Sequence, residues 1–282
     1  MLIKLFTLYI YLQSTFCGCA PDRRNSGFEK PEIKYKLERV SRMDRRVLES
    51  SGLAHAADGK LWTHPDGNNP AMLYNINKSG ELLDTIPLPH LKNSDWEDLA
   101  EDATHLYIGD FGNNANNRKD LRIYKINRQD YTLEGEIEFN LEDQDAFPPT
   151  EDNLHFDLEA FFYHQDSLYL FTKSRGKHKK LKLYTLPATP GKYTANLQEQ
   201  LNVNAMVTAA DISPDGKQFA VLGYGRLYLF EVQNGAINLS GKRYCIPLGR
   251  TGQAEALLYT SPSELLLTNE GGKLFKVMRK TR

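Results

Sequence analysis

The feature that most limits what this chain can fold into is a pair of short strands that returns five times. The first strands read Glu49-Ser50-Ser51-Gly52-Leu53-Ala54, Asp95-Trp96-Glu97-Asp98-Leu99-Ala100, Asp157-Leu158-Glu159-Ala160-Phe161-Phe162, Thr208-Ala209-Ala210-Asp211-Ile212-Ser213 and Gln253-Ala254-Glu255-Ala256-Leu257-Leu258. The second strands open on Leu61, Leu106, Leu168, Phe219 and Leu265, after turn signals such as Asp58-Gly59 and Pro214-Asp215-Gly216. A third strand in each copy carries an aliphatic–aromatic pair: Leu73-Tyr74, Ile123-Tyr124, Leu183-Tyr184, Leu227-Tyr228 and Leu274-Phe275. Taking Ser51, Glu97, Glu159, Ala210 and Glu255 as equivalent, the copies recur at intervals of 46, 62, 51 and 45 residues. Those are the lengths of propeller blades, four short strands each.

The fold expected is all-β: a β-propeller of five blades, with the third-strand pairs buried between blades. The last copy runs out after three strands. Upstream, Ile33 to Glu38 alternates apolar and charged residues with the period of a strand. Pairing that N-terminal strand with the last blade closes the ring and removes its open edge. A six-bladed ring is the alternative, with the extra blade inside residues 127–156.

Residues 1–19 read as a lipoprotein signal peptide. Lys4 supplies the positive start, Leu5 to Phe16 is an apolar run too short to span a bilayer, and small Gly18 precedes Cys19. Cys19 is then the lipidation site, and Ala20 after it directs the chain to the outer membrane, facing the periplasm or cell surface. Ordinary secretory cleavage, giving a soluble periplasmic or secreted protein, is the alternative. Residues 20–31 are polar and read as a tether, leaving 32–282 as a single domain. With Cys19 acylated and Cys17 removed, Cys245 is a lone buried thiol, with neither a disulfide nor a Cys-based metal site.

Lys and Arg number 35 against 36 Asp and Glu, a net charge of −1, so the chain lacks the electrostatic footprint of a nucleic-acid binder. The basic run Lys177 to Lys180 reads as a solvated loop. Acidic residues matter more. Antiparallel pairing brings the start of each first strand beside the end of its second. Asp66, Glu97, Asp110, Glu159, Glu255 and Glu270, with Lys173 and Tyr224, are therefore expected at one mouth of the central channel. Strand period two adds Asp95 and Asp157 on the same face, with Glu49 and Gln253 in the corresponding places. So many carboxylates cannot all stay ionised together without a cation, and an all-oxygen set suits Ca²⁺ better than Zn²⁺. Asn113 and Asn114 offer more oxygens, and Arg118 can grip an anion. The same carboxylates can alternatively accept hydrogen bonds from backbone N–H groups and lock blade to blade.

The motifs "LWTHPDGNN", "DWEDLA", "LYIGDFGNNANNRKDLRIYKI", "DLEAFF", "VTAADISPDGK" and "QAEALLY", in that order, resemble a widespread family of exported bacterial β-propellers, many of them lipoproteins, with no assigned activity. The resemblance covers about residues 46–275. Asp66-Gly67 departs from that family's Asp-Ser-Gly, and Asn113 from its frequent Asp. The layout is more distantly similar to esterase-like phytase propellers and calcium-activated nucleotidases, which implies a Ca²⁺-dependent hydrolase as one outcome; fold alone does not fix function.

No Gly-x-Ser-x-Gly, His-Glu-x-x-His or P-loop motif occurs in the sequence. The main reading is therefore an exported, lipid-anchored, monomeric propeller that binds a divalent cation and a ligand or envelope partner. One alternative is a metal-dependent hydrolase of a phosphoester, ester or lactone, with Glu97, Glu159, Lys173 and Arg118 as catalytic candidates. The other is a metal-free envelope scaffold.

Overall fold

Twenty strands build five four-stranded blades around a channel in the computed structural model, which describes Leu8 and residues 18–280. The first blade comprises β2 (Ser50–His55), β3 (Leu61–Pro65), β4 (Met72–Ile76) and β5 (Leu82–Pro87). The second comprises β6 (Trp96–Glu101), β7 (His105–Asp110), β8 (Leu121–Asn127) and β9 (Leu133–Leu141). β10 (Asp157–His164), β11 (Ser167–Lys173), β12 (Lys180–Pro187) and β13 (Gly191–Asn202) form the third. β14 (Val207–Ile212), β15 (Gln218–Gly223), β16 (Arg226–Glu231) and β17 (Arg243–Pro247) form the fourth. The fifth has β18 (Ala254–Ser261), β19 (Glu264–Asn269) and β20 (Lys273–Arg279), and takes its outer strand, β1 (Tyr35–Arg42), from the other end of the fold.

β1 runs antiparallel to β20, Tyr35 opposite Arg279 and Arg42 opposite Lys273. The ring closes as the alternation of residues 33–38 predicts. The long second interval hides no sixth blade among the described residues. It holds β9 and the loop from 142 to 156, and β9 pairs in parallel with the start of β13 (Ile137 opposite Gly191). The outer edges of blades two and three thus cover one another, which protects both.

The core lies between blades. Each third-strand pair is buried, Tyr74 only partly. Between blades three and four, Phe219 stacks on Phe230 at 4.7 Å and meets Phe162 at 5.6 Å, geometries that strengthen aromatic contacts beyond area alone.

Three sequence expectations that involve the N-terminal segment are corrected; the rest of the expected signal peptide, apart from Leu8 and Gly18, lies outside the described residues. Cys19 is not free to carry lipid: its sulfur is bonded to Cys245, which is therefore not a lone thiol. Nor are residues 20–31 a loose tether. A short helix, α1 (Ala20–Ser26), lies against the propeller, and Phe28 is buried on Tyr228 at 4.9 Å. Asp22 and Arg226, both with fully buried side chains, form an ion pair at 3.1 Å. Asp22 also accepts from the Asn204 amide at 2.7 Å and from the Tyr228 hydroxyl at 3.1 Å. A buried charge left without its partner is costly, so Asp22→Ala is expected to lower stability by about 3–5 kcal/mol. Urea unfolding of variant and parent checks this.

Candidate functional site

Each inner strand breaks its ladder at the same place. Pairing skips Ser51, Glu97, Glu159, Thr208 and Glu255. Such a β-bulge leaves one residue unpaired and re-aims its side chain, and here it turns Ser51, Glu97, Glu159 and Glu255 into a cavity of about 210 Å³ at the channel mouth. In the fourth blade the skipped residue is Thr208, so Ala210 is not the equivalent of Glu97. Thr208 does not line the cavity; its hydroxyl donates to Ala254 O at 2.7 Å.

Register also fixes what the second strands deliver. The residues just past the bulge partners are Asp66, Phe111, Lys173, Tyr224 and Glu270. Four of these were expected at the mouth, and all four line it. Asp110 is displaced by one position and turns away from the cavity: it accepts from the Asp95 amide at 2.9 Å and from Arg118 at 3.2 Å. Arg118 is spent on Asp110, Gly112 O and Asp120 O rather than on the cavity. Asn113 ties its own loop together, with Oδ1 accepting the amides of Asn117 and Arg118.

The remaining charged groups sort into two sides. On one, Lys173 Nζ meets Glu159 Oε2 at 2.9 Å. Arg175 Nε meets Asp157 Oδ2 at 2.6 Å, and its Nη2 hydrogen-bonds Asn114. Burial works against the Lys173 charge, but Glu159, Tyr224 and Glu255 outweigh it and hold the amine protonated. Tyr224 donates to Glu255 at 2.5 Å. Sequence reasoning missed Arg175, although it lies two residues past Lys173, the period that keeps a face.

On the other side stand Asp66, Asp95 and Glu97. One carboxylate oxygen from each lies within 4.8 Å of the others. Glu97 is 6% exposed, and among the described residues none of the three pairs with Lys, Arg or His. Burial, then Asp66 and Asp157, push Asp95 up to about 6. Burial and the neighbouring carboxylates, Glu159 first, raise Glu97 well above the ordinary range, and burial raises Asp66 as well. Glu270, at the rim, is pushed up to about 7 by burial and then by Glu255 and Asp66. Two glycines let the carboxylates approach: a Cβ on Gly67 would strike Asp95, and one on Gly112 would strike both Glu97 and Asp95. Three hard oxygen donors at this spacing fit one divalent cation of the Ca²⁺ or Mg²⁺ type.

No family model matches this chain, and no curated protein matches it. Among solved structures, the PQQ-bound aldose sugar dehydrogenase of Streptomyces coelicolor is similar, at 12% identity over 89% of this chain and 100% of that one, with a TM-score of 0.53. A virginiamycin B lyase from Staphylococcus aureus is also 12% identical, over 88% of this chain and 100% of that one, with a TM-score of 0.48. Identity this low speaks to fold alone, and the dehydrogenase agrees with a propeller.

Two outcomes follow from the geometry. In chelator, the folded state holds protons on Asp95, Glu97 and Glu270 that the unfolded chain, with carboxyls near 4, releases. Stability is therefore expected to fall as pH rises from about 4 to about 7. Urea midpoints at pH 5 and pH 8 in EDTA test the sign, and Asp95→Asn should flatten the slope. Separately, Gly112→Ala should cost about 1–3 kcal/mol of stability by overpacking, read from the same unfolding curves.

Proposed function

We propose that the protein is an exported, monomeric β-propeller that holds a divalent cation, Ca²⁺ first among candidates, on Asp66, Asp95 and Glu97, and takes an anionic ligand or partner group beside it. One observation carries this reading: among the described residues, three crowded carboxylates lack an ion-pair partner, while Asp157, Glu159 and Asp110 each have one. The cation would supply the missing positive charge. Lys173 and Arg175 would orient an anionic group of the ligand from across the cavity, and Tyr224 and Asn114 add polar contacts. A cavity of about 210 Å³ suits a small polar group rather than a large apolar body. Export is supported by the disulfide, which persists in oxidising compartments.

A second reading, cation-dependent hydrolysis of a phosphoester, ester or lactone, is favoured by Glu270. A carboxyl titrating at about 7 beside the cavity is matched to take a proton from water at neutral pH.

Thermal unfolding in EDTA, followed by addition of Ca²⁺, Mg²⁺ or Mn²⁺, tests the first reading, because a ligand bound only by the folded state raises the midpoint with concentration. The expected result is a saturable rise that Glu97→Gln abolishes. No shift with any of the three would overturn the cation site. Turnover of an ester or phosphoester panel that is lost in both Glu97→Gln and Glu270→Gln would select the hydrolase.

A further inference from the structure

The two cysteine sulfurs that join residues 19 and 245 lie beneath a segment bound to the fourth blade by several independent contacts. Cys19 is 1% exposed and Cys245 0%. Glu29 extends the sheet beyond β17: its amide donates to Arg243 O at 2.8 Å, and Cys245 N donates to Glu29 O at 3.1 Å. Arg243 donates to Ser26 O at 2.8 Å, with its guanidinium over Phe28. Asp22 supplies the carboxylate that neutralises buried Arg226. A diacylglyceryl group on Cys19 would need that sulfur at a bilayer, and this packing buries it.

We propose that Cys19 is a cross-link site rather than a lipid-attachment site, and that residues 19–31 form a clasp closed covalently on the fourth blade only where a disulfide oxidant is present. The asymmetry is chemical. In a reducing compartment both thiols stay reduced, and the non-covalent contacts of Asp22, Ser26, Phe28 and Glu29 alone hold the segment. After export, the Cys245 or Cys19 thiolate attacks the disulfide of an oxidising partner, a protein disulfide oxidant or oxidised glutathione. The resulting mixed disulfide is then resolved by the second cysteine of the chain. Two thiol protons are lost, and the partner leaves reduced by two electrons. A cross-link spanning 226 residues of sequence constrains the unfolded chain strongly.

The test uses the full chain, exported to an oxidising compartment and purified without reductant. Free thiols are alkylated, and the protein is digested with trypsin for mass spectrometry. The peptide ending at Arg23 should be found joined to Tyr244–Arg250, and Cys19→Ser should abolish the joined species. Finding Cys19 acylated, finding both cysteines alkylated, or finding the link intact in Cys19→Ser (which would make Cys17 the partner) each overturns the assignment. For the clasp itself, Cys245→Ala should unfold about 5–15 °C lower than the parent. It should also be cleaved faster after Arg23 and Arg24 under native conditions, with neither property changing further on adding reductant. An unchanged midpoint and unchanged cleavage in Cys245→Ala would overturn the clasp while leaving the cross-link standing.

Discussion

A carboxylate removed from water keeps its charge only if something nearby answers it, by an opposite charge or by aimed hydrogen bonds. Around the channel of this propeller, three acidic side chains have an opposite charge, although burial still raises Glu159 well above the ordinary range. Asp157 has Arg175, Glu159 has Lys173 and Asp110 has Arg118. Away from the mouth, Asp98 accepts amides from its own blade and the next, Leu99 at 2.9 Å and Phe161 at 3.2 Å, and Asp211 accepts from Tyr259 at 2.6 Å, yet burial still raises Asp98 well above the ordinary range and Asp211 to about 7. Among the described residues, Asp66, Asp95 and Glu97 have no ion-pair partner, and neither do Glu255 and Glu270. But Glu255 accepts from Tyr224 and Glu270 from Gln253, whereas Asp66 has only the amide of its neighbour Gly67 at 2.7 Å. The shared deficit of Asp66, Asp95 and Glu97 is a property of the fold, and it is the property a divalent cation would remove.

The fold sets up that deficit by repetition. A bulge recurs at one position in every inner strand and in four of the five turns a side chain into the cavity, and antiparallel pairing with the second strand brings Asp66, Lys173, Tyr224 and Glu270 to the same mouth. Glycines at 67 and 112 then let the acidic side chains come closer than a Cβ would allow. β1 closes the ring on the outer side of the fifth blade, and residues 19–31 pack on the fourth, neither lining the cavity. Site and scaffold are therefore separable: the inner strands carry chemistry and the outer strands carry closure.

How far the sequence could be read depended on which residues looked alike. The blades were legible because period-two strands, turn pairs and buried pairs such as Ile123-Tyr124 repeat in kind as well as in spacing. Glu97, Glu159 and Glu255 were found for the same reason. Thr208 was missed because it shares no chemistry with those glutamates, so Ala210 took its place until the register was visible. Asp110 was misplaced because Phe111, an apolar residue, occupies the mouth position that a polar residue holds in the other blades. The alternative expectation, that acidic residues bond backbone N–H groups and lock blade to blade, holds for Asp157, which accepts the Asn113 amide of the neighbouring blade at 2.8 Å, and for Asp98 and Asp211. Cys19 pairs with a residue 226 positions away, a contact that no local pattern announces, and the resemblance of its surroundings to a lipidation box pointed elsewhere.

The most direct measurement of the central claim is calorimetric titration of Ca²⁺ into chelator-stripped protein at pH 6, repeated in two buffers of different ionisation enthalpy. Filling the Asp66, Asp95 and Glu97 site should give one saturable binding event accompanied by proton release, because carboxyls with raised pKa values must shed protons to become ligands. The apparent heat would then differ between buffers. Binding with no difference between buffers would place the cation on carboxylates that are already ionised, and no saturable heat would leave the three acidic residues without the partner this account assigns them.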